Sequence, residues 1–187
     1  MNELPVPIIG FCAWSGTGKT TLLTQLLPLM VARGLKVAVV KHAHHTFDID
    51  HPGKDSYELR EAGASQMLIA SHKRMAHITE FDEGRGEPSL ADALSGLNMQ
   101  NLDLILVEGF KHENYQKIEL HRPQLNKPLF FPDDSNIIAI ASDAPIPENR
   151  NLLPKLNLNN PEQIVQFILD NIVAIEPPAT VSGAIHP

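Results

Sequence analysis

Several features that mark other classes of protein are scarce in this sequence. It contains a single cysteine, Cys12, which excludes an internal disulfide and a zinc site made of cysteines alone. Basic residues are fewer than acidic ones, 15 against 22, so the formal net charge is −7. Non-specific binding of nucleic acid relies on lysine and arginine to neutralise phosphates, so this charge balance argues against it.

Long apolar runs are also missing. No apolar stretch approaches the roughly 20 residues that a membrane helix needs. Residues 1–7 contain Glu3 and no basic cluster before an apolar run, so we expect no secretory signal. Hydrophobic residues make up 43% of the 187, an ordinary globular proportion. We therefore expect a cytoplasmic protein with no membrane partner, one domain over residues 1–173 and a flexible, proline-rich tail over residues 174–187.

The first forty residues predict a strand, a helix and a second strand. Val6–Cys12 is a short apolar run, Lys19–Arg33 carries leucines at helical spacing, and Leu35–Lys41 is a second, valine-rich run. This order is the repeating unit of a parallel sheet. Two further buried strands are predicted at Leu102–Val107 and Ile137–Ala141. The sequence thus predicts an α/β fold with a mostly parallel sheet flanked by helices.

Shorter patterns predict the remaining elements. They are a helix from Asp55 to Gly63, two short strands over Gln66–Ala70 and Arg74–Thr79, a helix over Ser89–Leu97, an edge strand over Lys117–His121 and a last helix over Pro161–Val173.

The loop between the first strand and the first helix carries the most informative motif. Its residues Ala13-Trp14-Ser15-Gly16-Thr17-Gly18-Lys19-Thr20 match the nucleotide-binding pattern G-x-x-x-x-G-K-[ST], except that alanine stands at the first position. Glycines let backbone N–H groups turn towards phosphate oxygens, and the helix N-terminus adds positive charge. We predict that Lys19 contacts the β- and γ-phosphates and that the Thr20 hydroxyl binds Mg²⁺. The predicted nucleotide-binding residues of this loop are Trp14, Ser15, Gly16, Thr17, Gly18, Lys19, Thr20 and Thr21.

Two alternatives belong to this loop. The motif could match by chance in a glycine-rich turn, but a strand before it and a helix after it are the context that favours function. Trp14 either shields the nucleotide or packs on a neighbouring loop, and we favour packing.

An acidic residue ends the strand predicted at Leu102–Val107. Glu108 follows it directly, at the edge of a parallel sheet where ligands bind, and Gly109 lets the chain turn away. A site for a nucleotide and Mg²⁺ needs such a carboxylate near the phosphates. We therefore predict that Glu108 helps to hold Mg²⁺ and that Lys19 and Glu108 are the candidate catalytic residues. A solvated strand-end acid is the alternative.

The loop after the second strand is rich in histidine and aspartate. His42, His44, His45 and His51 lie close together in sequence and invite a transition-metal hypothesis. The alternative is a polar loop whose histidines bond to phosphate or backbone. Asp50, or Asp48, is a candidate for a second Mg²⁺ contact, and Lys41 for pairing with phosphate or with Glu108; the residues leave these choices open.

A second aspartate follows the strand predicted at Ile137–Ala141. A carboxylate there offers two acceptors to the two donors on the guanine edge. Asp143 is thus a candidate for reading the base, although the familiar asparagine-lysine-x-aspartate order is missing. The alternative is an acid that starts the turn before Ala144 and Pro145.

Four segments together resemble a known family. They are residues 13–21, Val-Lys-His-Ala-His-His at 40–45, Pro-Gly-Lys-Asp-Ser-Tyr-Glu-Leu-Arg-Glu-Ala-Gly-Ala at 52–64, and Leu-Asp-Leu-Ile-Leu-Val-Glu-Gly-Phe-Lys-His-Glu at 102–113. The set is similar to the molybdopterin-guanine dinucleotide biosynthesis protein B (MobB) family, from about Ile8 to about Ile172. The motif at residues 13–20, which we call the phosphate loop, is shared by many NTPases. The histidine segment and the glycine-lysine-aspartate-serine segment are more specific.

This resemblance implies a GTP-binding adaptor with weak GTPase activity that works with the guanylyltransferase MobA. It implies a homodimer with an extended sheet, and we would look for the dimer contact in the hairpin-like strands between Gln66 and Thr79. It also implies that the protein delivers GTP or accepts molybdopterin. Lys41, His42, His44 and His45 are then candidates for contacting pterin or phosphate.

Two rival functions remain open at this point. One is a metallochaperone GTPase that uses the histidine-rich loop 42–51, and the other is a small-molecule kinase, for which no arginine-rich lid is recognisable. No arginine is placed in the sequence as an obvious finger in cis, which predicts weak turnover. Arg74 and Arg85 are candidate donors across a dimer, with surface solvation as the alternative for each.

Overall fold

The structure is a computed structural model that describes residues 4–43, 47–82, 84–146 and 153–173. The chain divides into two compact units, Met1–His42 with Leu90–Pro187, and Ala43–Ser89. The predicted tail over residues 174–187 lies outside the described residues.

The larger unit is built on a six-stranded sheet in which every neighbouring pair is parallel. Its strands are β1 (Ile8–Ala13), β2 (Val37–Lys41), β5 (Leu104–Glu108), β6 (Lys117–His121), β7 (Ile137–Ser142) and β8 (Lys155–Asn157). Their spatial order is β2-β5-β1-β6-β7-β8. The phosphate loop, which follows β1, therefore lies at the middle of the sheet edge.

Helices cover both faces of this sheet. They are α1 (Lys19–Ala32), α3 (Leu90–Ser95) and α4 (Pro161–Ile168), which continues as a π-helical turn over Leu169–Val173. Side chains of a strand alternate between faces. Leu104 and Leu106 of β5 accordingly pack with α1 and α4, while Ile105 and Val107 pack with α3. The predicted mostly parallel sheet flanked by helices is confirmed.

The prediction that Lys117–His121 forms an edge strand was wrong. β6 pairs with β1 on one side and β7 on the other, and its residues 117–120 are buried. Lys117 and Glu119 alternate with the apolar residues Ile118 and Leu120, which is the pattern of an edge strand. Both side chains are fully buried. The Lys117 amine donates to the Glu113 carbonyl and pairs with Asp134, and Glu119 accepts two backbone N–H groups, so burial leaves neither charge without a partner.

The smaller unit contains α2 (Asp55–Glu61), β3 (Gln66–Ala70) and β4 (Met75–Thr79). β3 and β4 form an antiparallel hairpin in which Leu68 lies opposite His77. Leu68 and Met75 expose more than half of their surface within this unit. Such side chains suit a protein contact, and the dimer contact expected at this hairpin stays a prediction.

No helix among the described residues is both long enough and apolar enough to cross a membrane.

Candidate nucleotide-binding site

Parallel strands carry the candidate site residues to one edge of the sheet. Phe11 of β1 lies beside Glu108 of β5, and Glu108 in turn lies beside Lys41 at the end of β2. On the other side of β1, His121 at the end of β6 lies beside Ser142 at the end of β7. The phosphate loop is therefore flanked by charged strand ends on one side and by the ends of β6 and β7 on the other.

The phosphate loop has the backbone shape that its glycines predict. Gly16 and Gly18 have φ angles of 82° and 94°, a left-handed conformation that costs other residues energy. Gly18 precedes α1 and supplies no side-chain cap, so the first N–H groups of the helix are left for another acceptor. Thr20 and Ser15 are exposed.

Two lysines and one glutamate bring charge to the loop. The Nζ atom of Lys19 lies 3.6 Å from Oε1 of Glu108, and the Nζ atom of Lys41 lies 3.7 Å from Oε2. The Glu108 side chain is only 14% exposed. This carboxylate and the exposed hydroxyl of Thr20 are hard oxygen donors of the kind that Mg²⁺ prefers, so these residues fit the ion.

The chain turns sharply after Glu108. Gly109 has a φ of 94°, and a Cβ atom there would lie 2.6 Å from Cβ of His42. The His42 backbone N–H donates to the Glu108 carbonyl at 2.8 Å, and its ring lies 4.7 Å from that of Phe110. The Tyr115 hydroxyl donates to the Gly109 carbonyl at 2.7 Å. The His42 backbone thus lies beside Glu108, and its ring packs on Phe110.

Trp14 packs against the segment that follows β6. Its indole N–H donates to the Pro128 carbonyl at 2.7 Å, and its ring stacks on Phe130 with centroids 4.8 Å apart. The Nζ atom of Lys127 lies 5.6 Å from the indole centroid. The expectation that Trp14 packs on a neighbouring loop is confirmed.

Arg122 is a site residue that the sequence argument missed. Its Nε–H donates to the Thr17 carbonyl of the phosphate loop at 2.8 Å. Its Nη1 atom lies 2.5 Å from Oδ2 of Asp143. In the sequence, Arg122 directly follows the strand predicted at Lys117–His121, but the sequence does not show that this strand lies beside β1. The pattern of Lys117–His121 predicts an edge strand, and an edge strand could lie far from the loop.

Asp143 lies at the end of β7, on the same side of the loop as Arg122. Its Oδ2 atom bonds to Arg122, while Oδ1 is buried without a hydrogen-bond partner. A cavity of about 280 Å³ opens on this side of the loop. Its lining residues are Gly16, Thr17, Gly18, Thr21, Leu22, Gln25, Arg122, Leu158 and Asn159. The role of Asp143 in reading a base stays a prediction.

Burial shifts the pKa of several titrating groups on β1 and β6, and it raises that of Glu119. It raises the pKa of the Cys12 thiol, in the strand that leads to the loop, to about 12, with the charge of Glu119 adding to the effect. It also lowers the pKa of His121, against the attraction of Asp143. Cys12 is therefore a neutral thiol at physiological pH and has no thiolate to react.

Asp50 belongs to the smaller unit. Its Oδ1 atom accepts from Arg60 at 2.9 Å, and Arg60 also bonds to Glu80 at 2.7 Å. Burial pushes the pKa of Asp50 up, but the bond and charge of Arg60 outweigh it, so the pKa lies below its usual range. The predicted Mg²⁺ contact of Asp50 is not tested by this geometry and stays a prediction.

The histidine-rich loop is described only in part. His44 and His45 lie outside the described residues, while His42 and His51 lie within them. Among the residues that the structure describes, no group of three or more histidine, cysteine, aspartate or glutamate side chains is arranged to hold a metal. The metal and pterin contacts considered for this loop remain predictions.

Known proteins resemble this chain over most of its length. Residues 8–143 match the family model described as MobB, molybdopterin guanine dinucleotide synthesis protein B. A molybdopterin-guanine dinucleotide biosynthesis adapter protein of Escherichia coli (strain K12) is 46% identical over 167 residues, which are 88% of this chain and 93% of that protein. The protein of the same name in Haemophilus influenzae is 42% identical over 165 residues, 87% of this chain and 88% of that protein.

Solved structures share the fold. A crystal structure of molybdopterin-guanine biosynthesis protein B is 27% identical, with a TM-score of 0.66, and the match covers 87% of this chain and 98% of that one. Bacillus subtilis MobB, at 24% identity, has a TM-score of 0.67 over 90% of this chain and 99% of its own, which is a likeness of fold alone. These matches confirm the family resemblance of the sequence motifs: the chain belongs to the molybdopterin guanine dinucleotide synthesis protein B (MobB) family.

Proposed function

We propose that this protein binds GTP with Mg²⁺ and acts as an adapter in the biosynthesis of molybdopterin guanine dinucleotide. The observation that carries the proposal is the ion pair between Lys19 and Glu108 at 3.6 Å, beside a glycine loop that opens a helix. Lysine, loop amides and a strand-end carboxylate are the groups that a triphosphate and its metal ion need. The adapter role is supported by the relatives, which carry that name.

In this proposal, some groups of the site bind phosphate and others bind Mg²⁺. The backbone N–H groups of Gly16, Gly18, Lys19 and Thr20 and the Lys19 amine stabilise negative charge on the β- and γ-phosphates, whereas the Thr17 N–H bonds to the Trp14 carbonyl. Thr20 and Glu108 would hold Mg²⁺, which supplies further positive charge to the triphosphate. Lys19 exchanges its contact with Glu108 for one with phosphate when nucleotide arrives.

The nucleoside end of GTP belongs on the opposite side of the loop from Glu108. The lysines and Glu108 occupy the side towards β2 and β5, so a nucleotide lying across the loop extends towards β6 and β7. The cavity there has an apolar wall, Leu22 and Leu158, and amide groups on Gln25 and Asn159. Asp143 follows β7 on this side, which supports the proposal that it reads guanine.

Hydrolysis of GTP is expected to be slow. An arginine that stabilises the transition state contributes roughly 10³–10⁵ in rate. Arg122 is the arginine that contacts the phosphate loop among the described residues, and its guanidinium already bonds to Thr17 and Asp143. The protein therefore serves the guanylyltransferase MobA by holding or delivering GTP, and we expect it to do so as a homodimer.

The test is the Lys19→Ala variant. GTP binding with Mg²⁺ is measured by calorimetry, and guanine dinucleotide formation is measured with MobA limiting. We expect Lys19→Ala to lose both. Lys36→Ala, which changes an exposed lysine just before β2 at the other end of the sheet, is the matched control and should retain both. Full cofactor assembly by Lys19→Ala would contradict the proposal.

A further inference from the structure

The phosphate loop is held from outside by the chain that follows β6. We call residues 122–131 the brace. It begins with Arg122, directly after β6, and contains a 3₁₀ turn over Pro123–Leu125. The brace contacts the phosphate loop at two residues, Trp14 and Thr17.

A buried carboxylate fixes the far end of the brace. Glu119 on β6 is fully buried, and its two oxygens accept the backbone N–H groups of Phe130 and Phe131 at 2.8 and 3.0 Å. Charge-assisted bonds to two successive amides allow the segment little freedom to shift. Glu119 therefore sets the position of Phe130, the residue on which Trp14 stacks.

The backbone carbonyl of Trp14 bonds to Thr17, another residue of the phosphate loop. Its carbonyl accepts both the backbone N–H of Thr17, at 3.2 Å, and the Thr17 hydroxyl, at 2.7 Å. Thr17 is buried, so its side chain fills space inside the loop. The contacts form a connected series from Glu119 through Phe130 and Trp14 to Thr17.

Arg122 contacts the same part of the loop at a second point. Its Nε–H bonds to the Thr17 carbonyl, and Asp143 fixes the guanidinium. The next residue, Gly18, has the left-handed φ that points the loop towards α1. The direction of the Thr17–Gly18 peptide is thus determined by a side chain outside the loop.

We infer that Glu119 and Arg122 are positioning residues that set the shape of the phosphate loop through Trp14 and Thr17 before any ligand arrives. Preorganised amides bind a phosphate more tightly because the loop does not have to be ordered on binding. The effect on nucleotide rests on the proposed function, whereas the effect on Trp14 does not.

The first experiment compares Arg122→Gln with Arg33→Gln. Arg33 is a matched control, because its guanidinium also bonds to a carbonyl, that of Leu29, and to a carboxylate, that of Glu162, on α1 and α4 away from the loop. The dissociation constant for GTP with Mg²⁺ is expected to rise about tenfold in Arg122→Gln and to stay unchanged in Arg33→Gln. Equal affinities in the two variants would overturn the role of Arg122.

The second experiment uses Trp14 as a reporter in the absence of nucleotide. Trp14 is the single tryptophan of the chain, so its fluorescence is read without interference from another indole. In Glu119→Gln we expect a red-shifted emission and at least a twofold increase in quenching by acrylamide. Asp103→Asn is the control, because Asp103 accepts a backbone N–H from Lys36 at the opposite edge of the sheet. Unchanged quenching in a folded Glu119→Gln would overturn the role of Glu119.

A third variant covers the case in which Glu119→Gln does not fold. Phe130→Ala removes the ring under Trp14 from a half-buried position and leaves the buried carboxylate in place. It should increase acrylamide quenching and weaken GTP binding in parallel with Arg122→Gln. If wild type binds no GTP, the proposed function fails, and the quenching of Trp14 alone decides whether the brace positions the loop. If wild type binds GTP and neither quenching nor affinity changes in Phe130→Ala, the proposed role of the brace is wrong although the proposed function stands.

Discussion

Lys19 and Glu108 meet at 3.6 Å although one opens α1 and the other closes β5. The contact exists because β1 and β5 are parallel neighbours, with Phe11 level with Glu108, so both strands end at the same edge of the sheet. Because the Lys19 amine is already paired with Glu108, part of the water around it is displaced before a phosphate binds. In the proposed site, Mg²⁺ would lie on the same side of the loop as this pair.

Glu108→Gln should separate metal binding from nucleotide binding. The variant keeps the shape of the side chain and removes its charge, so Mg²⁺ loses a ligand while Lys19 and Lys41 are freed to meet phosphate. We expect the affinity for GTP in Mg²⁺ to fall about tenfold or more, and the affinity in EDTA to stay the same or rise. Titration calorimetry in both buffers measures this. Asp103→Asn, which changes the residue just before β5, is the control and should leave both affinities unchanged. If Glu108→Gln lost affinity for GTP only in EDTA and not in Mg²⁺, that result would argue against a metal role for Glu108.

Asp143→Asn should weaken recognition of the base. A carboxylate accepts from both donors of the guanine edge, and an amide does not. Wild type should bind GTP more tightly than ITP, which lacks the 2-amino group, and this preference should disappear in Asp143→Asn. Arg122→Gln is the companion variant: it disturbs the loop but should retain the preference. An unchanged ratio of GTP to ITP affinity in Asp143→Asn would show that another residue reads the base.

Gly109→Ala should destabilise the turn after Glu108. The left-handed φ costs an alanine about 1–2 kcal/mol, and its Cβ would also lie 2.6 Å from Cβ of His42. Gly34→Ala is the matched control, because Gly34 has a φ of 83° and no atom within 4 Å of the added Cβ. Urea unfolding should therefore show a larger loss of stability for Gly109→Ala than for Gly34→Ala. Equal losses would mean that His42 moves aside without cost.

Asp134 should contribute to the pH dependence of stability. Burial raises its pKa, but bonds from the backbone and side chain of Asn136 and from Lys117 outweigh burial and hold the pKa below its usual range. The unfolded chain then takes up this proton first as pH falls. The contribution of Asp134 is complete above about pH 4, the ordinary aspartate pKa, and is lost as pH falls towards the folded pKa.

Asp134→Asn tests that sign. The variant should lose roughly 1–3 kcal/mol of stability at pH 7, and its stability should fall less steeply than that of wild type between pH 5 and pH 2. Urea unfolding across that range gives the two slopes. Parallel slopes would contradict the assignment, because a group without a shifted pKa contributes no difference between them.

The sequence by itself determined the phosphate loop, the strands on either side of α1 and the carboxylate at Glu108. These features depend on local periodicity and on residues within one loop, and parallel pairing then brings strand ends together without further information. The sequence also favours packing of Trp14 on a neighbouring loop over shielding of the nucleotide, and Trp14 stacks on Phe130.

Only the tertiary structure decided the position of β6 and the residues that depend on it. Lys117 and Glu119 make the segment look half-exposed, and only the folded chain supplies Asp134 and the amides of Phe130 and Phe131 that satisfy them. Burying a charge is feasible only with such partners, and they come from residues that follow β6 in the chain. For the same reason Arg122 could be assigned to the phosphate loop only after β6 was found beside β1.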